Sequence, residues 1–309
     1  MKTPKVTIVG AAGGVGACLA HLLVNARIPY EMALIGRRAQ SITCLLMDSE
    51  SLAPLGRAPI VRHGGIDDFH DSDIIVITAS VPLTAWAPRA ESMAGNAKIL
   101  RPYFREIAKL SADWPGHVIV VTNPIDVFSG WLQRHAQIAP SKILGYSWND
   151  SLRLRVAAAQ VLGADAADTS AWVIGEHGDA FIPLFHRILV AGRHVRMSAH
   201  QRDVVLTDLR SFYDRWSRLG IPRTTAWTTA GGVARMILDI TQRRQSDWTA
   251  STALNGEYGL TDVSVGIPVA IDAQGVLSVV EWALEELEQA ALERAACLIR
   301  ERMDSLGGL

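Results

Sequence analysis

The chain has 309 residues, with 30 Lys and Arg against 31 Asp and Glu for a formal net charge of −1, which removes the basic surface that a nucleic-acid partner needs. Hydrophobic residues at 49% and charged residues at 20% describe a folded chain with a sizeable core and exclude a disordered one. Cys18, Cys44 and Cys297 stand too far apart for a disulfide framework or a zinc site, so no metal is expected.

The first half alternates short apolar runs with helical stretches. Val6–Val9, Met32–Ile35, Ile74–Thr78 and Val118–Thr122 show little polar alternation, the pattern of strands covered on both faces of a parallel sheet. Val15–Arg27 and Asn96–Leu110 read as helices between them. Strand, helix, strand in this order predicts right-handed crossovers and a doubly wound sheet. The second half reads as α+β. Helices are predicted over Ser151–Leu162, Ser198–Leu219 (stopped by Gly220 and Pro222), Thr224–Arg243 and Ser278–Ser305. The last reads as the clearest amphipathic helix, with Val280, Leu284, Leu287, Ala291, Leu298 and Met303 near one face. Ala171–Ile174 is a short strand, and Val263–Ile271 is a strand expected to bend or bulge at Gly266-Ile267-Pro268. The fold class expected is α/β, with an N-terminal doubly wound unit over 1–146 and a C-terminal α+β unit over 147–309, joined without a linker. No apolar run reaches the ~18 residues of a membrane span. The N-terminus lacks the apolar stretch and cleavage site of a signal peptide, so a cytoplasmic location is expected.

Val6–Val9 runs into Gly10-Ala11-Ala12-Gly13-Gly14-Val15-Gly16 and then a helix. Glycines here allow a tight turn and a close approach to a pyrophosphate, and the helix N-terminus offers unpaired N–H groups. No Lys-Ser/Thr follows, which excludes a nucleoside-triphosphate loop. Gly10, Gly13, Gly14, Val15 and Gly16 are therefore the candidate dinucleotide site. After the second strand, an acid normally binds the ribose 2′-hydroxyl of NAD. Here the chain reads Gly36-Arg37-Arg38, where two guanidinium groups suit a 2′-phosphate, so NADP(H) is favoured over NAD(H).

Ile174-Gly175-Glu176-His177-Gly178-Asp179 places a histidine between glycines at a strand end, expected to be exposed to a cleft. Asn149-Asp150-Ser151-Leu152-Arg153 places a carboxylate and a guanidinium on one face of a helix start. Thr122-Asn123-Pro124-Ile125-Asp126-Val127 ends a strand with an amide at the sheet's carboxyl edge. Arg89 lies in a loop-like stretch after another strand end.

With these pieces in this order, from Lys5 to about Leu298, the chain resembles the lactate/malate dehydrogenase family. Met47-Asp48, Val81-Pro82, Asn96-Ala97-Lys98 and Asp262–Val269 add to the match, and the glycine turn with Gly36-Arg37 looks most like the malate-dehydrogenase-like branch. The resemblance implies a Rossmann domain and a substrate domain. It also implies a homodimer or homotetramer, and a small-molecule 2-oxo or L-2-hydroxy acid as substrate. Carried over by position, it implies that Arg153 grips the substrate carboxylate and that His177 exchanges a proton with the keto oxygen. Asp150 would hold the His177 ring, and Arg89 would polarise the carbonyl when its loop shuts. Asn123 would position substrate and nicotinamide, and Thr225 would line the pocket, with Thr224 as its rival. Thr78, Ala79, Asn96 and Asn123 would border the cofactor.

The loop Ser80–Arg89 departs from the family. The position of Leu83 usually holds Arg in malate dehydrogenases and Gln in lactate dehydrogenases, and Trp86 stands where Gly is usual. An unpaired carboxylate against Leu83 would be costly, so the expected substrate has an uncharged, branched or aromatic side chain. Malate or lactate dehydrogenase proper is the alternative. An NAD-dependent glycosidase would need metal ligands that the sequence does not show. A redox sensor that binds dinucleotide without turnover would have no use for His177, Asp150, Arg153 and Arg89 together.

Overall fold

A computed structural model describes residues 3–26, 30–56, 60–82, 89–221, 225–271 and 277–309, with only the backbone described for 89–91. In chain order the first half comprises β1 (Lys5–Val9), α1 (Gly14–Val24), β2 (Glu31–Ile35), α2 (Ala39–Glu50), β3 (Ile60–His63), β4 (Ile74–Ile77), α3 (Arg89–Ile107), β5 (His117–Val120), α4 (Ile125–Gln133) and β6 (Ile143–Gly145). Strands β1, β4 and most of β2 and β5 are buried, which is why they read as unbroken apolar runs. They lie in the order β3-β2-β1-β4-β5-β6, all parallel. The chain moves outward to β2 and β3 on one side of β1, then returns to β4 on the other. That reversal opens a crevice at the carboxyl ends of β1 and β4, where ligands of such sheets bind.

The second half comprises α5 (Asn149–Leu162), β7 (Thr169–Ser170), β8 (Val173–Gly175), β9 (Phe181–Pro183), β10 (Leu189–Val190), β11 (Arg193–His194), α6 (Ala199–Ser217), α7 (Ala226–Thr241), β12 (Ser246–Asn255), β13 (Thr261–Ile271), β14 (Leu277–Val279) and α8 (Glu286–Asp304). β6 pairs antiparallel with β12 through Gly145 and Ser251, so the sheet continues through β12, β13, β8 and β9 into the second half. β7, β10 and β11 form a separate small sheet. The doubly wound first half and mixed α/β second half agree with the fold class expected.

Several elements depart from the sequence reading. The patterns did not mark α2, β3, α4 or β6. Helix α4 is only nine residues long, too short for its periodicity to stand out in the sequence, and it is buried from Ile125 to Leu132. β13 does not bend at Gly266-Ile267-Pro268; its pairing with β12 is continuous there, and the irregularity falls at Leu254/Asn255. On its other edge β13 meets β8 at Gly266 and β14 from Val269 onward, so Pro268 sits in the gap between the two partners. Its carbonyl accepts from Val280, and its missing N–H leaves no ladder bond unmade. The helix expected from Ser278 begins only at Glu286, because Leu277–Val279 pairs with β13 and Glu285 with Glu288 forms a capping box at the true start. Leu287, expected on the apolar face, is 82% exposed. Among the described residues no helix is long and apolar enough to cross a membrane.

Candidate active site

Gly10 closes β1 with φ of +89°. Its N–H and that of Ala11 both donate to the Ile35 carbonyl, tying the turn to the end of β2. A side chain here is impossible twice over: the φ is left-handed, and a Cβ would lie 2.5 Å from the backbone nitrogen of Ala79. At Gly16 a Cβ would lie 2.5 Å from the Gly10 carbonyl oxygen. The glycines thus let β1, β4 and α1 converge. Helix α1 starts at Gly14 with no side-chain cap, so its first amides, including those of Val15 and Gly16, remain available to an anion. Gly36 follows β2, and Arg37 and Arg38 are exposed beside it. This cradle of bare backbone, an uncapped helix and two guanidinium groups fits a dinucleotide pyrophosphate and ribose.

Two expected cofactor contacts have their polar groups committed elsewhere. Thr78 Oγ1 donates to the Val9 carbonyl at 2.9 Å. Asn96 is buried; its Oδ1 accepts from Val81 N–H at 2.7 Å and its Nδ2 donates to the Asn123 carbonyl at 2.9 Å. It thereby ties the segment after β4 to the segment after β5. Asn123 itself is exposed at the carboxyl edge of β5, at the start of a cis peptide with Pro124.

Across the crevice, α5 places Asp150 and Arg153 one turn apart, and the loop after β8 brings His177 to them. His177 Nδ1 and Asp150 Oδ2 are 2.6 Å apart. Asp150 Oδ1 accepts from Arg153 Nη1 at 2.9 Å. One carboxylate therefore bridges an imidazole and a guanidinium. The His177 side chain is only 7% exposed, more enclosed than its flanking glycines suggested. Burial disfavours its charge, but the charge and hydrogen bond of Asp150 outweigh that, with Asp126 adding, so its pKa is raised. Burial works to raise the Asp150 pKa, but His177 and then Arg153 outweigh it and hold its carboxyl below the ordinary range.

Arg153 is braced as well as paired. Its guanidinium carbon sits 4.3 Å from the Phe212 ring centroid and 4.9 Å from that of Tyr213. Its Nη1 also reaches Tyr213 Oη at 3.1 Å, and Nη2 reaches Thr225 Oγ1 at 3.5 Å. Thr225 is therefore beside Arg153, while Thr224 lies outside the described residues. A cavity of about 330 Å³ opens next to Arg153 on the α6 side, lined by Phe181, Leu209, Arg210, Tyr213 and Asp214 among others. Leu83 and Trp86 lie outside the described residues. Arg89 opens α3, but its side chain is not among those described.

The sequence reading passed over two groups. Asp126, in the first turn of α4, accepts the His177 peptide N–H at 2.7 Å and is pushed up to about 6, chiefly by burial. Its signal was an acid inside an otherwise apolar run. Glu176, the neighbour of His177, is buried against Arg302 of α8 and accepts the Ala180 N–H at 3.1 Å. Nothing local marks that pairing. Among the described residues no three His, Cys, Asp or Glu side chains group as a metal site.

Residues 4–145 match the family described as lactate/malate dehydrogenase, NAD binding domain, and residues 149–306 match lactate/malate dehydrogenase, alpha/beta C-terminal domain. The malate dehydrogenase of Haloferax volcanii is 29% identical over 314 residues, covering 98% of this chain and 99% of that protein. The L-lactate dehydrogenase of Mycoplasma mycoides is 27% identical over 310 residues, covering 98% and 96%. Among solved structures, malate dehydrogenase from Plasmodium falciparum superposes with a TM-score of 0.90 at 22% identity, covering 98% of both chains. Lactate dehydrogenase from Cryptosporidium parvum, complexed with lactic acid and nicotinamide adenine dinucleotide, gives 0.88 at 24% identity, covering 100% of this chain and 99% of that one.

Proposed function

The chain belongs to the lactate/malate dehydrogenase family of nicotinamide-dependent 2-hydroxyacid oxidoreductases, and from that premise we propose that it interconverts an L-2-hydroxy acid with an uncharged side chain and the corresponding 2-oxo acid, with NADP(H) favoured over NAD(H). The observation that carries this reading is the Asp150 carboxylate bridging His177 and Arg153.

The cofactor, when bound, supplies or takes up the hydride. Gly10, Gly13, Gly14, Val15 and Gly16 would hold its pyrophosphate, and Gly36, Arg37 and Arg38 its ribose end. Arg153 grips the substrate carboxylate with its two-pronged fork, which fixes orientation as well as charge. Phe212 and Tyr213 keep that fork in plane while the acid enters. His177, held at Nδ1 by Asp150, gives the proton on Nε2 to the keto oxygen in reduction and recovers it in oxidation. Asn123 positions the carbonyl, Thr225 lines the pocket, and Arg89 stabilises the developing alkoxide.

Leu83 and Trp86 support the uncharged side chain, since neither pairs with a second carboxylate. The whole-length likeness to proteins named malate dehydrogenase favours a second reading, in which another cation meets oxaloacetate. A panel of 2-oxo acids assayed with NADPH and NADH separates the two. We expect 2-oxoisocaproate or phenylpyruvate to exceed oxaloacetate in kcat/KM, and NADPH to exceed NADH. Efficient oxaloacetate turnover, or NADH equal to NADPH, rejects the respective half of the proposal.

Two units, 1–146 and 147–309, fit the extents of the two family matches. Large apolar side chains exposed on α2 (Met47) and α7 (Trp227) support a homodimer or homotetramer, which light scattering would measure. The three free cysteines suit a cytoplasmic location.

A further inference from the structure

Behind His177 lies a carboxylate that the chemistry above leaves idle. Asp126 is 1% exposed in the first turn of α4. Its Oδ2 accepts the His177 peptide N–H at 2.7 Å, and the Ser251 hydroxyl of β12 lies close enough to favour its ionised form. An amide or hydroxyl side chain would accept the same N–H with far less desolvation, so a buried carboxylate is a costly way to hold one peptide. What an acid adds and an amide lacks is a negative charge held at the His177 peptide.

The surroundings let that charge act on the ring. From α5, Asp150 and Arg153 face His177, one of each sign. From the loop after β8, Glu176 faces Asp126, but Arg302 of α8 is paired with it. From β12, Ser251 offers Asp126 only a hydroxyl. Two carboxylates on two different helices thus hold one histidine, Asp150 at the ring and Asp126 at the peptide N–H. We propose that Asp126 is a positioning residue that fixes the main chain of His177 so that its ring meets Asp150, and whose negative charge favours the protonated ring. Burial pushes Asp126 up to about 6, which leaves it ionised at neutral pH. The proposal rests on the acid–base reading of His177 given above.

The test is a titration of the histidine ring carbons by NMR without cofactor or substrate, with His177 assigned by its loss in His177→Gln. Asp126→Asn keeps the acceptor and the size but removes the charge. The His177 midpoint should fall by about one pH unit. The pH above which 2-oxo acid reduction declines should fall with it, while cofactor affinity by fluorescence titration stays unchanged. An unmoved midpoint in a variant with wild-type Tm overturns the proposal. If Asp126→Asn does not fold, the unsubstituted protein decides: the His177 signal should carry a second, smaller inflection on the acid side of its own midpoint as Asp126 gains its proton, and its absence overturns the proposal. A midpoint that moves in a protein that reduces no 2-oxo acid supports the part given to Asp126 and overturns the reaction assigned above.

Discussion

Asp150 serves two cations with one carboxylate, and the pH behaviour of the site follows from that. His177 has a folded-state pKa above its ordinary value: burial opposes the charge, but Asp150's charge and hydrogen bond win. Its contribution to stability is therefore complete below the unfolded value of about 6.5 and is lost as pH rises through the raised value. Asp150 has a depressed pKa, because the His177 and Arg153 interactions overcome its desolvation. Its contribution is present above about 3.9 and is lost as pH falls through the lowered value. The pair is thus fully formed between about pH 4 and 6.5. In the proposed reaction, reduction needs the protonated His177 ring, so Asp150→Asn should move the upper pH limit of kcat/KM for the 2-oxo acid downward; an unshifted profile would separate Asp150 from the proton transfer. His177→Asn should cut kcat by about 10²–10⁴-fold with cofactor affinity retained. Arg153→Lys replaces a fork with a point charge and should act mainly by raising KM for the acid.

At the scale of elements, the β1–turn–α1 unit was readable because its glycines, strand and helix are contiguous. Gly16→Ala tests it, since the new Cβ would lie 2.5 Å from the Gly10 carbonyl oxygen and push α1 away. We expect at least about a tenfold loss in cofactor affinity by fluorescence titration, as about 1.4 kcal/mol of lost contact would give. Gly232 in α7 carried no such local signal. Its neighbour is Tyr146, whose hydroxyl oxygen would lie 1.6 Å from an added Cβ. Gly232→Ala should cost at least the ~1–3 kcal/mol of an overpacked core, seen as a lowered Tm. The misread elements share a cause. α4 is short and buried by elements far away in the chain, Pro268 escapes its penalty in a gap between two partner strands, and Leu277–Val279 becomes a strand only because β13 is there to pair with it. Each depends on a neighbour distant in the chain.

For the whole molecule, an 11-stranded sheet among the described residues runs through both halves, and α8 reaches back to the loop that carries His177. Arg302 of α8 pairs with Glu176, which is 3% exposed, directly before His177. Arg302→Met would leave that carboxylate buried and unpaired. The loss should be about 2–3 kcal/mol, below that of a fully buried pair because Arg302 is 32% exposed. Chemical denaturation would measure it, and a variant as stable as the wild type would remove α8 from the support of the loop. The glycine turn after β1, the bases at Arg37 and Arg38 and the types of acid, base and guanidinium present are legible in the sequence, because these are properties of contiguous residues. That Asp150 meets a ring 27 positions away, that Asp126 holds a peptide 51 positions away, and that Arg302 neutralises an acid 126 positions away emerges only once the chain has folded. Hydrogen bonds and charges act through space, and separation along a chain does not encode distance until the sheet and its helices have packed.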